Sequence, residues 1–197
     1  MRSLIRPAVV LFVFFTVVTG FVYPLAITGI AQSAFGHAAS GSIVSRNGKP
    51  IGSSLIGQNF SDAKYFWGRP SATSPQPYAG LASSGSNLGP LNPALIDGIK
   101  AHIQALHAAD PGNVAPIPVD LVTASASGLD PEESIAAALY QAPRVARARG
   151  VTLPVVQAVI QAHSQPRWLG AFGEPRVNVL AVNLALDDDL AAAAGSR

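Results

Sequence analysis

The chain of 197 residues contains no cysteine. That removes disulfides, thiol nucleophiles and cysteine metal sites together. Charge is also scarce: Asp, Glu, Lys and Arg make up 12% of the chain, against about 25% in an average soluble domain. The few lysines, Lys49, Lys64 and Lys100, do not follow a G-x-x-x-x-G cradle, so there is no Walker-type phosphate loop. The histidines are His37, His102, His107 and His163. His102 and His107 are too far apart to share a helix face as a metal pair spaced by four would, and no H-E-x-x-H occurs. The G-x-S-x-G elbow of serine hydrolases is missing as well. The net charge of +2 comes from Arg2 and Arg6, and the rest of the chain is balanced. A nucleic-acid footprint needs clustered Lys and Arg, and none is present.

What the chain has in quantity is apolar surface, with 49% hydrophobic residues. Residues 7–31 carry no charge, and a spanning helix needs about 20 such residues. Arg2 and Arg6 precede the run and the next basic residue after it that is not histidine is Arg46. The positive-inside rule then puts the N-terminus in the cytoplasm and everything after about residue 35 outside. A cleaved signal peptide would have an apolar run of about 7–15 residues; the longer run favours a retained anchor. Thr16, Thr19, Gly20 and Tyr23 fall at helical spacing on one face, and Phe14, Val18, Phe21 and Leu25 on another. Small and hydroxyl residues let a neighbouring helix approach closely, whereas bulky ones suit lipid. Pro24 is expected to loosen the last turns.

Beyond the anchor, "GSIVSRNGKPIGSSLIG" reads as a hairpin turning at Asn47-Gly48, where both residues accept positive φ. Ser61 or Asp62 is expected to open a short helix carrying Tyr65, Phe66 and Trp67. Residues 68–92 are a long stretch dense in Gly, Ser, Pro and Asn, and long loops in compact domains are often functional. Arg69, Tyr78, Asn87 and Asn92 are its candidate partner-facing residues. Asn92-Pro93 starts a helix with an Asn cap and Pro at the first position. Leu95, Ile96, Ile99, Ile103 and Leu106 form its apolar stripe. "VDLVTA" reads as a strand. In "TASASGLDPEES", Asp130 reads as an N-cap, with Pro131 first in the helix and Glu133 completing a capping box. Pro143 is expected to break or kink that helix, and Gly150 to end it. Thr152 opens another helix. "VNVLAVNLAL" alternates through Leu180, Val182, Leu184 and Leu186 and reads as a half-buried strand.

The expected organisation is a cytoplasmic N-terminus (1–6), a transmembrane helix (7–31), one periplasmic α+β domain (35–187) and a flexible tail (188–197). Ser125, Ser127, Asp120, Asp130 and Glu174 could serve an anchored periplasmic enzyme. Caps, turns and strand ends explain them without chemistry, so no catalytic or metal residue is assigned.

Seven blocks, "TGFVYPLAITGIAQSAF", "GSSLIGQNF", "YFWGRPSAT", "SGSNLGPLNP", "PVDLVTASASGLDP", "YQAPRVARARG" and "GEPRVNVLAVNLALD", resemble the KdpC family, the C subunit of the bacterial Kdp potassium-transporting ATPase. They follow that family's order and spacing from about residue 7 to residue 187. The resemblance implies a single-pass inner-membrane subunit with a channel-like potassium-binding partner, a P-type ATPase partner and a small membrane partner. It implies a non-catalytic accessory role, assembling and stabilising a complex that uses ATP, Mg2+ and K+, with no cofactor on this chain. The family is also described as a catalytic chaperone that raises the ATP affinity of the ATPase subunit. Gln141 and Gln165 are the weak nucleotide candidates for that role. A domain outside the membrane meets no cytoplasmic ATP, which favours the assembly role.

Overall fold

Asn47 and Gly48 take φ of 51° and 75°, the pair of positive values that a two-residue hairpin turn demands. They join β1 (Ile43–Arg46) to β2 (Lys49–Ser53) as the sequence predicts. The structure is a computed structural model. It describes the backbone of residues 2–195 and the side chains of residues 4–188. Two compact units divide the chain, Met1–Ile51 and Gly52–Arg197.

The first unit is led by α1 (Arg2–Val17), a π turn (Val18–Val22) and α2 (Tyr23–Ala34), followed by the single-turn α3 (Gly36–Ala39). Leu4–Ala34 is long and apolar enough to cross a membrane, with a mean hydropathy of 2.3. The π turn has an identifiable cause. Pro24 has no N–H to give Gly20, and its ring would clash with that carbonyl in an α-helix. The chain widens instead, and Tyr23 N–H bonds Val18 O, five residues back. Thr16 and Thr19 turn their hydroxyls onto Phe12 O and Phe15 O, each at 2.7 Å, which satisfies both hydroxyls within the apolar helix. The π turn rotates residues after it relative to those before.

In the second unit, α4 (Pro93–Ala109) starts at the expected cap, with Ala94 N–H donating to Asn92 Oδ1 at 3.0 Å. A three-stranded antiparallel sheet has the order β3 (Glu132–Ser134), β5 (Arg176–Asn178), β4 (Ser164–Gln165). Glu133 and Ser164 both face Val177 in its register. Helices α5 (Ile135–Arg149), α6 (Leu153–Ala162) and α7 (Val179–Gly195) pack around it. Val145, Val156, Ile160, Val177, Val182 and Leu186 lie at the centre of the larger core. A smaller core joins Leu106 of α4 to Leu121, Ala137 and Tyr140.

Several sequence expectations are corrected. No helix opens at Ser61 or Asp62; Asp62 Oδ1 accepts from Lys64 N–H in a turn. "VDLVTA" is a 3-10 turn at Val119–Leu121, not a strand. Asp130 does not cap α5. The cap is Ser134, whose Oγ accepts from Ala137 N–H at 3.0 Å, and Glu132–Ser134 is strand. Pro143 does not break α5, which continues to Gly150 in the left-handed region. Burial of Ala142, Val145 and Ala146 on either side of Pro143 outweighs its local cost. The run from Val179 to Leu186 is helix, not strand. Val179, Val182, Asn183 and Leu186 are buried at helical spacing, and the period of two arose because Val182 and Leu186 satisfy both patterns. The expected tail (188–197) begins inside α7, and Ser196 and Arg197 lie outside the described residues.

Candidate functional site

Two irregular segments, 68–92 and 123–130, are fastened to one another by hydroxyls. Ser71 Oγ donates to Gly128 O at 2.6 Å and accepts from Tyr78 N–H at 2.9 Å. Thr73 Oγ1 donates to Gln76 O at 2.7 Å and accepts from Ala79 N–H at 3.0 Å. Ser83 Oγ and Ser84 N–H both donate to Ser127 O, at 3.0 and 2.9 Å. Ser125 Oγ accepts from Gly128 N–H at 2.9 Å, which closes the turn. Gly128 has φ of 66°, and a Cβ there would meet Ser84 O at 2.6 Å. Gly85 faces Ala126 O equally closely, at 2.7 Å from an added Cβ. Only glycine allows the two backbones to lie this near. The long loop is therefore an ordered surface.

The sequence-derived loop candidates divide into two kinds. Arg69 and Tyr78 point inward. Arg69 pairs with Asp130 at 3.0 Å, and Tyr78 Oη donates to Arg69 O at 2.5 Å. Tyr78 itself takes φ of 58°. Burial, with Asp130 and Glu133 nearby, pushes its phenol up to about 12, although Arg69 acts the other way. Asn92 is committed to capping α4. Asn87 is exposed, with φ of 50°. A cavity of about 210 Å3 between the loop and α4 is lined by Trp67, Arg69, Tyr78 and His102, among others. Burial lowers the His102 imidazole.

The carboxylates considered for catalysis have structural partners. Asp120 Oδ2 accepts from Ser134 N–H at 2.8 Å and its Oδ1 from Ser134 Oγ at 3.2 Å. Asp130 Oδ1 accepts from Glu132 N–H, and Glu174 pairs with Arg167 at 2.7 Å. Glu132 pairs with Arg176 at 2.6 Å. Among the described residues, no three His, Cys, Asp or Glu side chains gather as a metal site.

Sequence reasoning missed a buried polar hub. Gln141 is 1% exposed. Its Oε1 accepts from Trp67 N–H at 2.9 Å and from Arg144 Nη2 at 2.7 Å. Its Nε2 donates to Trp67 O at 3.0 Å and to Glu133 Oε2 at 2.8 Å. The Gln141 amide is thus engaged by groups of the fold itself. Gln165 lies exposed on β4, opposite Arg176 in the register. Asn183 repeats the Gln141 arrangement at the residue before Trp67: Phe66 N–H donates to its Oδ1 at 2.8 Å and its Nδ2 to Phe66 O at 3.0 Å. Arg144 stacks over Trp67 at 4.3 Å and donates to Ala63 O and Tyr65 O. Burial lowers its guanidinium to about 10, against the opposing pull of Asp110 and Glu133. Glu133 is fully enclosed, and burial with Asp120 nearby raises its carboxyl well above 4.5 despite Arg144 and Gln141. The one available signal was a Gln and an Arg three apart on an otherwise apolar helix face.

Comparison with known proteins places this architecture. Residues 5–188 match the family model described as "KdpC: K+-transporting ATPase, c chain". A protein of Herminiimonas arsenicoxydans called "Potassium-transporting ATPase KdpC subunit" is 64% identical over 187 residues, covering 95% of this chain and 98% of its own. Its namesake in Variovorax paradoxus (strain S110) is 62% identical over 192 residues, covering 98% and 100%. A match along nearly the whole length, from the apolar helix to α7, shows that the chain belongs to the KdpC family of K+-transporting ATPase subunits.

Proposed function

We propose that the chain is a non-catalytic accessory subunit of an ATP-driven potassium uptake complex. It assembles and stabilises the channel-like and P-type ATPase subunits, anchored by its apolar helix with the folded unit on the periplasmic side. The observation that carries this reading is the clasped loop surface. Ser71, Thr73, Ser125, Ser127 and Asp130 are all committed to holding loops 68–92 and 123–130 in one shape. A preorganised surface suits docking, because little ordering entropy remains to be lost on association. The enclosure of Gln141, one of the two nucleotide candidates, supports the assembly reading over the nucleotide-binding one.

The test is purification of the complex in detergent with and without this chain. The proposal expects the channel-like and ATPase subunits to separate when it is removed. Recovery of an intact, transporting pair without it would overturn the assembly role. Sidedness is checked separately, since the chain has no cysteine background. Asn87→Cys should react with an impermeant maleimide in intact cells; reaction only after permeabilisation would reverse the topology.

A further inference from the structure

Between β4 and β5 the chain makes a second, smaller hairpin that buries nothing. Residues 165–175 are all exposed. Trp168 and Phe172 exchange both backbone hydrogen bonds, at 2.8 and 2.9 Å, and their rings meet at 5.6 Å. Leu169 and Gly170 form the turn with φ of 50° and 72°. The Arg167–Glu174 ion pair at 2.7 Å lies beneath it. The result holds Trp168, Leu169 and Phe172 out at 66%, 75% and 61% exposure. Scattered exposed apolar residues are ordinary. Three large ones within five residues, held outward by a closed turn, form a patch that calls for an apolar partner.

We infer that this hairpin is a membrane foot: Trp168, Leu169 and Phe172 enter the headgroup region of the bilayer to which the chain is anchored. The inference rests on the reading of Leu4–Ala34 as a membrane anchor. Three observations favour lipid over a protein partner. The patch presents roughly 400 Å2, half of the about 800 Å2 per partner that a stable protein interface buries. Its chemistry is interfacial: a Trp whose indole N–H has no protein acceptor among the described residues, two apolar neighbours, and a charge-balanced Arg167–Glu174 pair at the base. The chain from Ala34 to the second unit at Gly52 has an upper reach of about 60 Å at full extension, and α3 and the β1–β2 hairpin shorten it. That tether makes lipid contact intramolecular, so a patch too small to bind vesicles alone suffices once the anchor is inserted.

The experiment uses the full-length chain in nanodiscs of phosphatidylcholine and phosphatidylglycerol, with lipids brominated at shallow or deep acyl positions. Tryptophan emission is read, and Trp168→Phe isolates the contribution of Trp67. The expected result is loss of Trp168 emission, greatest with the shallow bromines and absent in Trp168→Phe. Incorporation is scored first by co-elution with the disc. Failure to incorporate would overturn the anchor reading and this inference with it. Incorporation with Trp168 unquenched by bromolipid and open to iodide would overturn the foot alone. Shielding from both quenchers in the assembled pump would assign the hairpin to a protein partner and also overturn it. None of these three results touches the co-purification test of the subunit role.

Discussion

Gln141 and Asn183 hold residues 66 and 67 inside the core, while Ser83 and Ser127 hold the long loop at the surface. Both regions replace regular secondary structure with side-chain hydrogen bonds to backbone. They differ in what water can do when a bond is lost. At the surface, water substitutes and the net value of each bond is about 1 kcal/mol. In the core it cannot, and each orphaned group costs its full desolvation, about 1–3 kcal/mol. The same chemistry thus fixes a fold in one place and shapes a surface in the other.

The comparison is broken most severely by Gln141→Leu. It strands Trp67 N–H, Trp67 O and Glu133 in the core, so a loss on the order of 3 kcal/mol or more is expected. Chemical denaturation of the full chain in detergent measures it. A loss below about 1 kcal/mol would mean that water reaches the hub. Gly128→Ala is the matching break where the two loop segments meet. The positive φ and the approach to Ser84 O predict a loss of about 1–3 kcal/mol, read in the same titration, together with faster proteolysis within residues 68–92.

Titration sharpens the contrast next. The folded state raises the Glu133 carboxyl above its ordinary 4.5, so folding favours its neutral form. That contribution is complete below about pH 4.5 and is lost as pH rises through the folded value. Wild type should therefore gain thermal stability relative to Glu133→Gln as pH falls from 7 toward 5. Parallel melting curves for the two proteins would refute it. The smallest effect is expected for Arg69→Ala. Its ion pair with Asp130 is partly exposed, and about 0.5 kcal/mol is the expected loss. A larger defect in co-purification than in stability would mark Arg69 as shaping the docking surface.

The sequence made local features legible and distant ones not. Asn47-Gly48 and Asn92-Pro93 specify their turn and cap within a few residues, and both stand in the structure. Pro24 announced a disturbance, but its form, a π turn, depends on how the helix redistributes its bonds. Asp130 and Ser134 were both credible caps. The choice between them is made by β5, which pairs Glu132–Ser134 as a strand from more than 40 residues away. Gln141 looked available because its partners, Trp67 and Glu133, are brought to it only by the completed fold. Of the loop candidates, Asn87 alone keeps its side chain outward without a structural bond among the described residues.

The twin amides also give this protein two neighbouring clocks. The Phe66 amide proton is held by Asn183 of α7, and the Trp67 amide proton by Gln141 of α5. Hydrogen exchange at Phe66 therefore reports the opening of α7, and exchange at Trp67 the opening of α5. Two adjacent peptide groups can thus show which helix loosens first when the subunit meets its partners.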